Sequence, residues 1–199
     1  MTVRTLPSGE PRPRYDQDRL LEVAVRVFTE RGYDGTSMDQ LSQASGLSKS
    51  SLYHHIDSKE HLLRMALERA VDPLLTVLDE PGATTGRAID RLEYVITREV
   101  EVLAERLPYV TLLLRVRGNT ETERWALEQR REFDRIVADL VDQAVAEGDI
   151  RAEIDAATTT RLVFGLVNSL VEWYRPNGEL SPDDLAAQIT SLVFRGLRA

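Results

Sequence analysis

The chain has 199 residues, 42% hydrophobic and 29% charged, with a formal net charge of −8 and no cysteine. That is enough apolar side chain for a packed core, no apolar run reaches the ~18 residues of a membrane span, and without thiols there are no disulfides, thiolate metal sites or cysteine nucleophiles. Residues 1–69 hold ten Arg and Lys against ten Asp and Glu, and residues 70–199 hold fifteen against twenty-three, so a neutral first third precedes an acidic body and two different jobs are expected.

Residues 1–15 are rich in Pro, Gly and Arg without periodicity and read as a flexible arm, in which Arg12 and Arg14 could follow a minor groove; with no apolar stretch, it is not a secretory signal. From Asp16 the apolar residues Leu20, Leu21, Ala24, Val27 and Phe28 recur at helical spacing, and Gly32 stands where a C-terminal cap belongs. Ser37 and Gln40 have capping-box spacing and predict a second helix, short because Gly46 follows about two turns later. A third helix is expected from Ser48 to about His55. A fourth opens at Ser58, with Leu62, Leu63, Ala66, Leu67 and Val71 on its inner face.

Beyond Pro81-Gly82, the residues Ile89, Leu92, Ile96, Val100 and Leu103 mark a helix that ends near Leu107-Pro108. Residues 109–116 are short and nearly all apolar. Residues 119–147 predict a long amphipathic helix with Trp125, Phe133, Ile136, Val137, Leu140, Val141 and Val145 turned inward, and residues 155–174 predict an apolar one. Ser181-Pro182-Asp183-Asp184 is a helix start, with a Ser cap, Pro at the first position and two acids in the first turn. No segment alternates with period two. The expected fold is all-α with about nine helices: an arm over 1–15, a three-helix helix-turn-helix unit over 16–62 and a helical bundle over 63–199.

The functional signal lies where the second and third helices join across Ala44-Ser45-Gly46-Leu47. Ala44 is small where two helices approach, Gly46 can take the positive φ of a tight turn, and Leu41, Leu47 and Leu52 can fill the wedge between the helices. The third helix then offers Ser48, Lys49, Ser50, Ser51, Tyr53, His54 and His55 to a major groove. Tyr53, His55 and Lys59 can donate to phosphates, and Thr36 and Ser37 can do so from the start of the second helix. Both lysines and all three histidines fall in this region. Metal binding by His54, His55 and His61 is not expected, because the first two point differently on a helix and no Cys assists.

The run from Thr36 to Glu60, with its Leu52-Tyr53-x-His55-x-x-x-Lys59-Glu60 pattern, resembles the TetR family of bacterial regulators, and Phe28, Gly32 and Tyr33 before it fit as well. Ile56 stands where the family usually has Phe, a change of volume at a packing position. The resemblance implies a homodimer that binds a palindromic double-stranded DNA operator and carries an effector pocket in its C-terminal helices, without cofactor or metal, in the cytoplasm and away from membranes. It further implies that the last two helices pair with their copies in a four-helix interface. Leu162, Leu166, Leu170 and Trp173, with Leu185, Ile189, Leu192 and Val193, supply more apolar surface there than a monomer need hide; ordinary core is the alternative reading of the same residues.

The stretch from Trp173 to Ala186 resembles a branch of the family that responds to acyl-CoA thioesters in fatty-acid, steroid or aromatic catabolism. Tyr94, Tyr109, Leu112, Leu113, Phe133 and Phe164 could line an apolar tunnel, Arg115 and Arg117 could meet CoA phosphates, and Asn168 could fix a carbonyl. Each also has a plainer role, as core, as partner of an acid on a neighbouring helix, or as a dimer contact. No Gly-rich phosphate loop, nucleophile elbow or metal set is present, and Glu99-x-Glu101 has no matching partner, so an enzyme is not expected. The remaining alternative is a helical small-molecule-binding or protein-interaction module without specific DNA reading, which would have no need of the donor-rich third helix.

Overall fold

Side-chain caps divide the chain into its helices. In the computed structural model, which describes residues 17–198, α1 (Gln17–Arg31) ends on Gly32 and α2 (Met38–Ser45) opens on the expected capping box. Ser37 Oγ accepts from the Gln40 amide at 3.3 Å, and Gln40 Oε1 accepts from the Ser37 amide at 2.7 Å. α3 (Lys49–His55) and α4 (Lys59–Val77) begin on Ser48 and Ser58, whose hydroxyls accept from the amides of Ser51 and His61. Each cap satisfies one of the amides that a helix N-terminus leaves open. The expected arm of residues 1–15 lies outside the described residues.

A single turn, α5 (Pro81–Thr84), precedes α6 (Ala88–Glu105). It lies close against α6: a Cβ on Gly82 would come within 2.5 Å of the Tyr94 ring. α7 (Leu107–Leu113) starts earlier than the apolar run suggests, with Pro108 in the first turn, where its missing N–H is no loss. α8 (Glu121–Ala146) is capped by Thr120, α9 (Ala156–Asn168) by Asp155, and α11 (Pro182–Leu197) by a Ser181–Asp184 box. The stretch expected as one helix over 155–174 is broken. At Ser169 the hydroxyl donates to the Leu166 carbonyl at 2.7 Å and accepts from the Trp173 indole at 3.4 Å, and the chain restarts as α10 (Leu170–Trp173).

Among the described residues all regular structure is helical, apart from one isolated antiparallel bridge between Ile150 and Arg198. α1, α2 and α3 form a head around Leu20, Leu21, Phe28, Leu41, Leu52 and Ile56. α4 runs from the head into the body, packing on α1 and on α6, α7 and α8, so position 62, expected as a domain boundary, falls inside a helix that serves both parts. α6 lies between α4, α8 and α11, and α9 covers α8. Pro73 sits inside the last turns of α4 and has no N–H to return to the preceding turn.

Candidate nucleic-acid interface and ligand cavity

The reading head turns on a left-handed backbone position that glycine takes freely. Gly46 ends α2 at φ 70°, and nothing lies within 4 Å of where its Cβ would be, so conformation and not crowding requires glycine there. Ser42 Oγ donates to the Leu47 carbonyl at 2.5 Å, and Ser45 Oγ accepts from the Leu47 amide at 3.3 Å, closing the turn. The small buried residue at the helix approach is Ser45; Ala44, expected there, faces solvent. Leu41 and Leu52 fill the wedge completely, and Leu47 does so in part.

α3 projects from this turn with Lys49, Ser50, Tyr53 and His54 exposed, Tyr53 at 54%, and with Ser51 and His55 half-buried. Lys49 Nζ lies 2.6 Å from Asp39 Oδ1, a solvent-exposed pair that exchanges easily for a phosphate. Ser48 Oγ is the cap of α3 and also meets the hydroxyls of Ser50 and Ser51 at 3.0 and 2.9 Å, so these serines form one polar cluster at the front of the helix. Ser37 is exposed at the start of α2.

Two residues expected at the DNA turn inward. Thr36 is buried, its hydroxyl donating to the Gly32 carbonyl at 2.7 Å. Lys59 Nζ donates to the carbonyls of Tyr33 and Thr36 at 2.9 and 2.7 Å and lies 4.1 Å from the centre of the Tyr33 ring. A cation placed over a ring and between two carbonyls clamps α4 to the α1–α2 turn. The fixed geometry of that clamp explains the Lys at this spacing without a phosphate contact.

A polar seam joins head to body. Arg115 donates to the Thr29 carbonyl at 2.7 Å, Asn119 Nδ2 to Asp34 Oδ2 at 2.7 Å, and the Thr122 amide to Glu60 Oε1 at 3.3 Å. The Arg64 guanidinium stacks 3.4 Å above the Trp125 ring. Arg115 and Arg117, expected at the effector, belong to this seam: after Leu113 the chain leaves α7 and turns toward the head, where both line a cleft of about 670 Å³ with Arg31, Tyr33 and Asp34.

The body holds a smaller, partly open cavity of about 40 Å³ among α4, α6, α7, α8 and α9. Of the expected effector residues it gathers Leu113, Phe133, Phe164 and Asn168, with the Phe133 and Phe164 rings 5.8 Å apart. It does not gather Tyr94, whose hydroxyl donates to Glu80 Oε2 at 2.6 Å, or Tyr109, which lines an outer groove with Glu22, Arg69 and Arg106; Leu112 lines the head–body cleft. Sequence reading missed three polar liners: Glu99, Arg130 and Asp134. Glu99 is 7% exposed and its Oε2 has no hydrogen-bond partner. Burial, reinforced by the Asp134 charge and opposed by that of Arg130, pushes its carboxyl up to about 8. Arg130 is half-buried, and Asp134 is exposed beside it.

The faces of α9, α11 and α10 leave Leu162, Leu192 and Trp173 exposed at 70%, 67% and 51%. Leu166 and Val193 are half-buried, whereas Leu170, Leu185 and Ile189, expected at the interface, are buried within the protomer, where α11 packs on α6. With Leu166, Trp173 and Leu192 they line an open groove of about 770 Å³. Gly165 presents bare backbone on the same side, with nothing within 4 Å of its Cβ position. Among the described residues no group of three or more His, Asp or Glu is placed to hold a metal, and no helix is long and apolar enough to cross a membrane.

Against known proteins, residues 20–66 match the family described as bacterial regulatory proteins, tetR family, and residues 85–197 match the tetracyclin repressor-like C-terminal domain. The chain is 30% identical over 181 residues to the HTH-type transcriptional repressor KstR2 of Rhodococcus jostii, covering 89% of each. It is similar to a crystal structure of a TetR-family regulator from Streptomyces coelicolor, with a TM-score of 0.85 and 56% identity over 100% of this chain and 96% of that one. It is also similar to AibR in complex with isovaleryl coenzyme A and operator DNA, with a TM-score of 0.73 and 25% identity over 89% of this chain and 97% of that one.

Proposed function

The chain belongs to the TetR family of bacterial transcriptional regulators, and from that premise we propose that it is a homodimeric repressor whose hold on a palindromic operator is released by an acyl- or aryl-coenzyme A thioester. It is a ligand-responsive DNA-binding regulator and not an enzyme. The observation that carries the mechanism is the shared use of α7: Val110 and Leu113 wall the cavity, while the chain just beyond α7 bonds to the head through Arg115 and Asn119.

Ser37, Ser48, Lys49, Ser50, Ser51, Tyr53, His54 and His55 are the groups we assign to DNA. A dimer formed over Leu162, Leu166, Trp173, Leu192 and Val193 would present two such heads to successive turns of the duplex. Residues 1–69, which contain the head, carry no net charge, so phosphate contacts come from placement, and the acidic bodies would lie away from the DNA.

A cavity of about 40 Å³ is smaller than an acyl group. Uptake must therefore widen it, and a separation of Ala70 and Leu74 of α4 from Val110 and Leu113 of α7 would carry that displacement to the head along both helices. A tenfold release from DNA requires about 1.4 kcal/mol of preference for the displaced form. The coenzyme A reading draws on AibR, which was solved with isovaleryl coenzyme A; the cation beside the cavity here is Arg130, so Arg130 takes the phosphate role that Arg115 and Arg117 cannot fill from the seam.

The test adds a panel of acyl- and aryl-CoA thioesters to the protein bound on labelled DNA from upstream of its own gene. Release by one thioester, weakened in Arg130→Ala, supports the proposal. Retention of DNA with every thioester rejects the coenzyme A effector and leaves the regulator.

A further inference from the structure

The cavity holds a feature that a hydrocarbon site does not need. Its walls include Ala70, Leu74, Val102, Leu103 and the Phe133–Phe164 pair, yet a carboxyl oxygen without a hydrogen-bond partner, Glu99 Oε2, lies among them on the inner face of α6. Nearby carboxylates have partners: Glu80, just before α5, accepts from Tyr94 and Arg98, and Glu101 of α6 accepts from Arg98. Glu99 Oε2 has none, and a buried polar atom without a partner is costly in an apolar surround.

We propose that Glu99 makes this cavity selective for effectors whose buried end carries a neutral oxygen function, a hydroxyl or a ketone, over otherwise identical hydrocarbon ends. This inference rests on the reading of the cavity as the effector site. Its chemistry follows from the charges nearby. Arg130 and Asp134, the other ionisable liners, act on Glu99 in opposite directions, and the desolvated Glu99 is favoured in its protonated form, so the buried end of the effector need carry no charge. A protonated carboxyl offers one donor and an accepting oxygen, matching either a ketone or a hydroxyl. Asn168, which lines the same cavity with both a donor and an acceptor, can serve the second lone pair or proton.

The full-length protein can be titrated with toluene, phenol and benzylamine, following the methyl resonances of Leu103, Val110 and Leu113. Toluene and phenol differ by a methyl against a hydroxyl at nearly constant shape. An apolar cavity favours toluene because the phenol hydroxyl must leave water. With Glu99 as its partner, phenol should bind about tenfold more tightly than toluene. Glu99→Gln should keep that preference and Glu99→Leu should reverse it. Toluene binding as well as or better than phenol in the wild type overturns the inference and leaves the cavity as a ligand site. Benzylamine binding tightest, with the preference lost in Glu99→Gln, overturns it in favour of a cation site. If none of the three shifts the cavity methyls, the inference falls together with the cavity reading on which it rests.

Discussion

Replacing Glu99 by Gln should stabilise the protein at pH 8 and change it little near pH 4.5. In the folded chain the carboxyl holds its proton up to about 8, against an ordinary value of 4.5. Between those values the unfolded state gives up the proton and the folded state keeps it, so the folded state binds more protons and stability falls as pH rises. Whatever Glu99 contributes is complete below pH 4.5, is lost across the window to pH 8 and is constant above it. The slope is about 1.4 kcal/mol per pH unit, so from pH 5 to pH 8 the wild type should lose roughly 3 kcal/mol that Glu99→Gln keeps. For a chain of this size that corresponds to about 6–12 °C in the gap between their melting temperatures. Thermal or urea unfolding of both proteins at pH 5, 6, 7 and 8, at one protein concentration because the proposed unit is a dimer, measures the gap directly. Parallel pH profiles would refute the reasoning, since they would mean that Glu99 is ionised or solvated in the folded chain.

Lys49→Ala and Tyr53→Phe should each weaken operator binding by about two- to tenfold in anisotropy titrations, the worth of one hydrogen bond, while melting temperature and dimer mass stay unchanged. Lys59→Met should act differently: it removes the clamp on the Tyr33 and Thr36 carbonyls, each such charged bond worth about 1.5–3 kcal/mol, and calorimetry should find the head destabilised. Gly46→Ala should cost about 1–2 kcal/mol in urea unfolding through backbone strain alone, because its Cβ meets no neighbour. Leu162→Asp with Leu192→Asp should give a folded monomer by light scattering, with operator affinity lost, since these side chains are exposed in the protomer and contribute little to its core.

The helix starts were legible because a cap is a local event: Ser37, Ser48, Ser58, Asp155 and Ser181 each act within three residues of themselves. Gly46 was legible for the same reason, since only a glycine takes that φ cheaply. Thr36 and Lys59 were misread because spacing places a residue near the DNA without saying which way its side chain leans, and nearby carbonyls claimed both. Arg115 and Arg117 were assigned to the pocket because they follow an apolar segment; where the chain turns after Leu113 depends on contacts with α1, 86 positions away in the case of Arg115 and Thr29. Leu170, Leu185 and Ile189 show that an apolar helix face cannot by itself divide core from interface. Glu99 left a signal that could have been used. It falls in step with Leu92, Ile96 and Leu103 on the buried stripe of α6, and a lone acid at such a position marks a buried carboxyl.

The most direct test of the central claim is the salt dependence of binding to DNA from upstream of the protein's own gene, measured by anisotropy from 50 to 200 mM salt. Two heads making three or four phosphate contacts each should give a log–log slope of about −5 to −7 and a loss of roughly a thousandfold or more over that range. Binding that is absent at the lowest salt, or that is weak and flat across the range, would contradict a dimeric DNA reader and return the fold to a ligand- or protein-binding role.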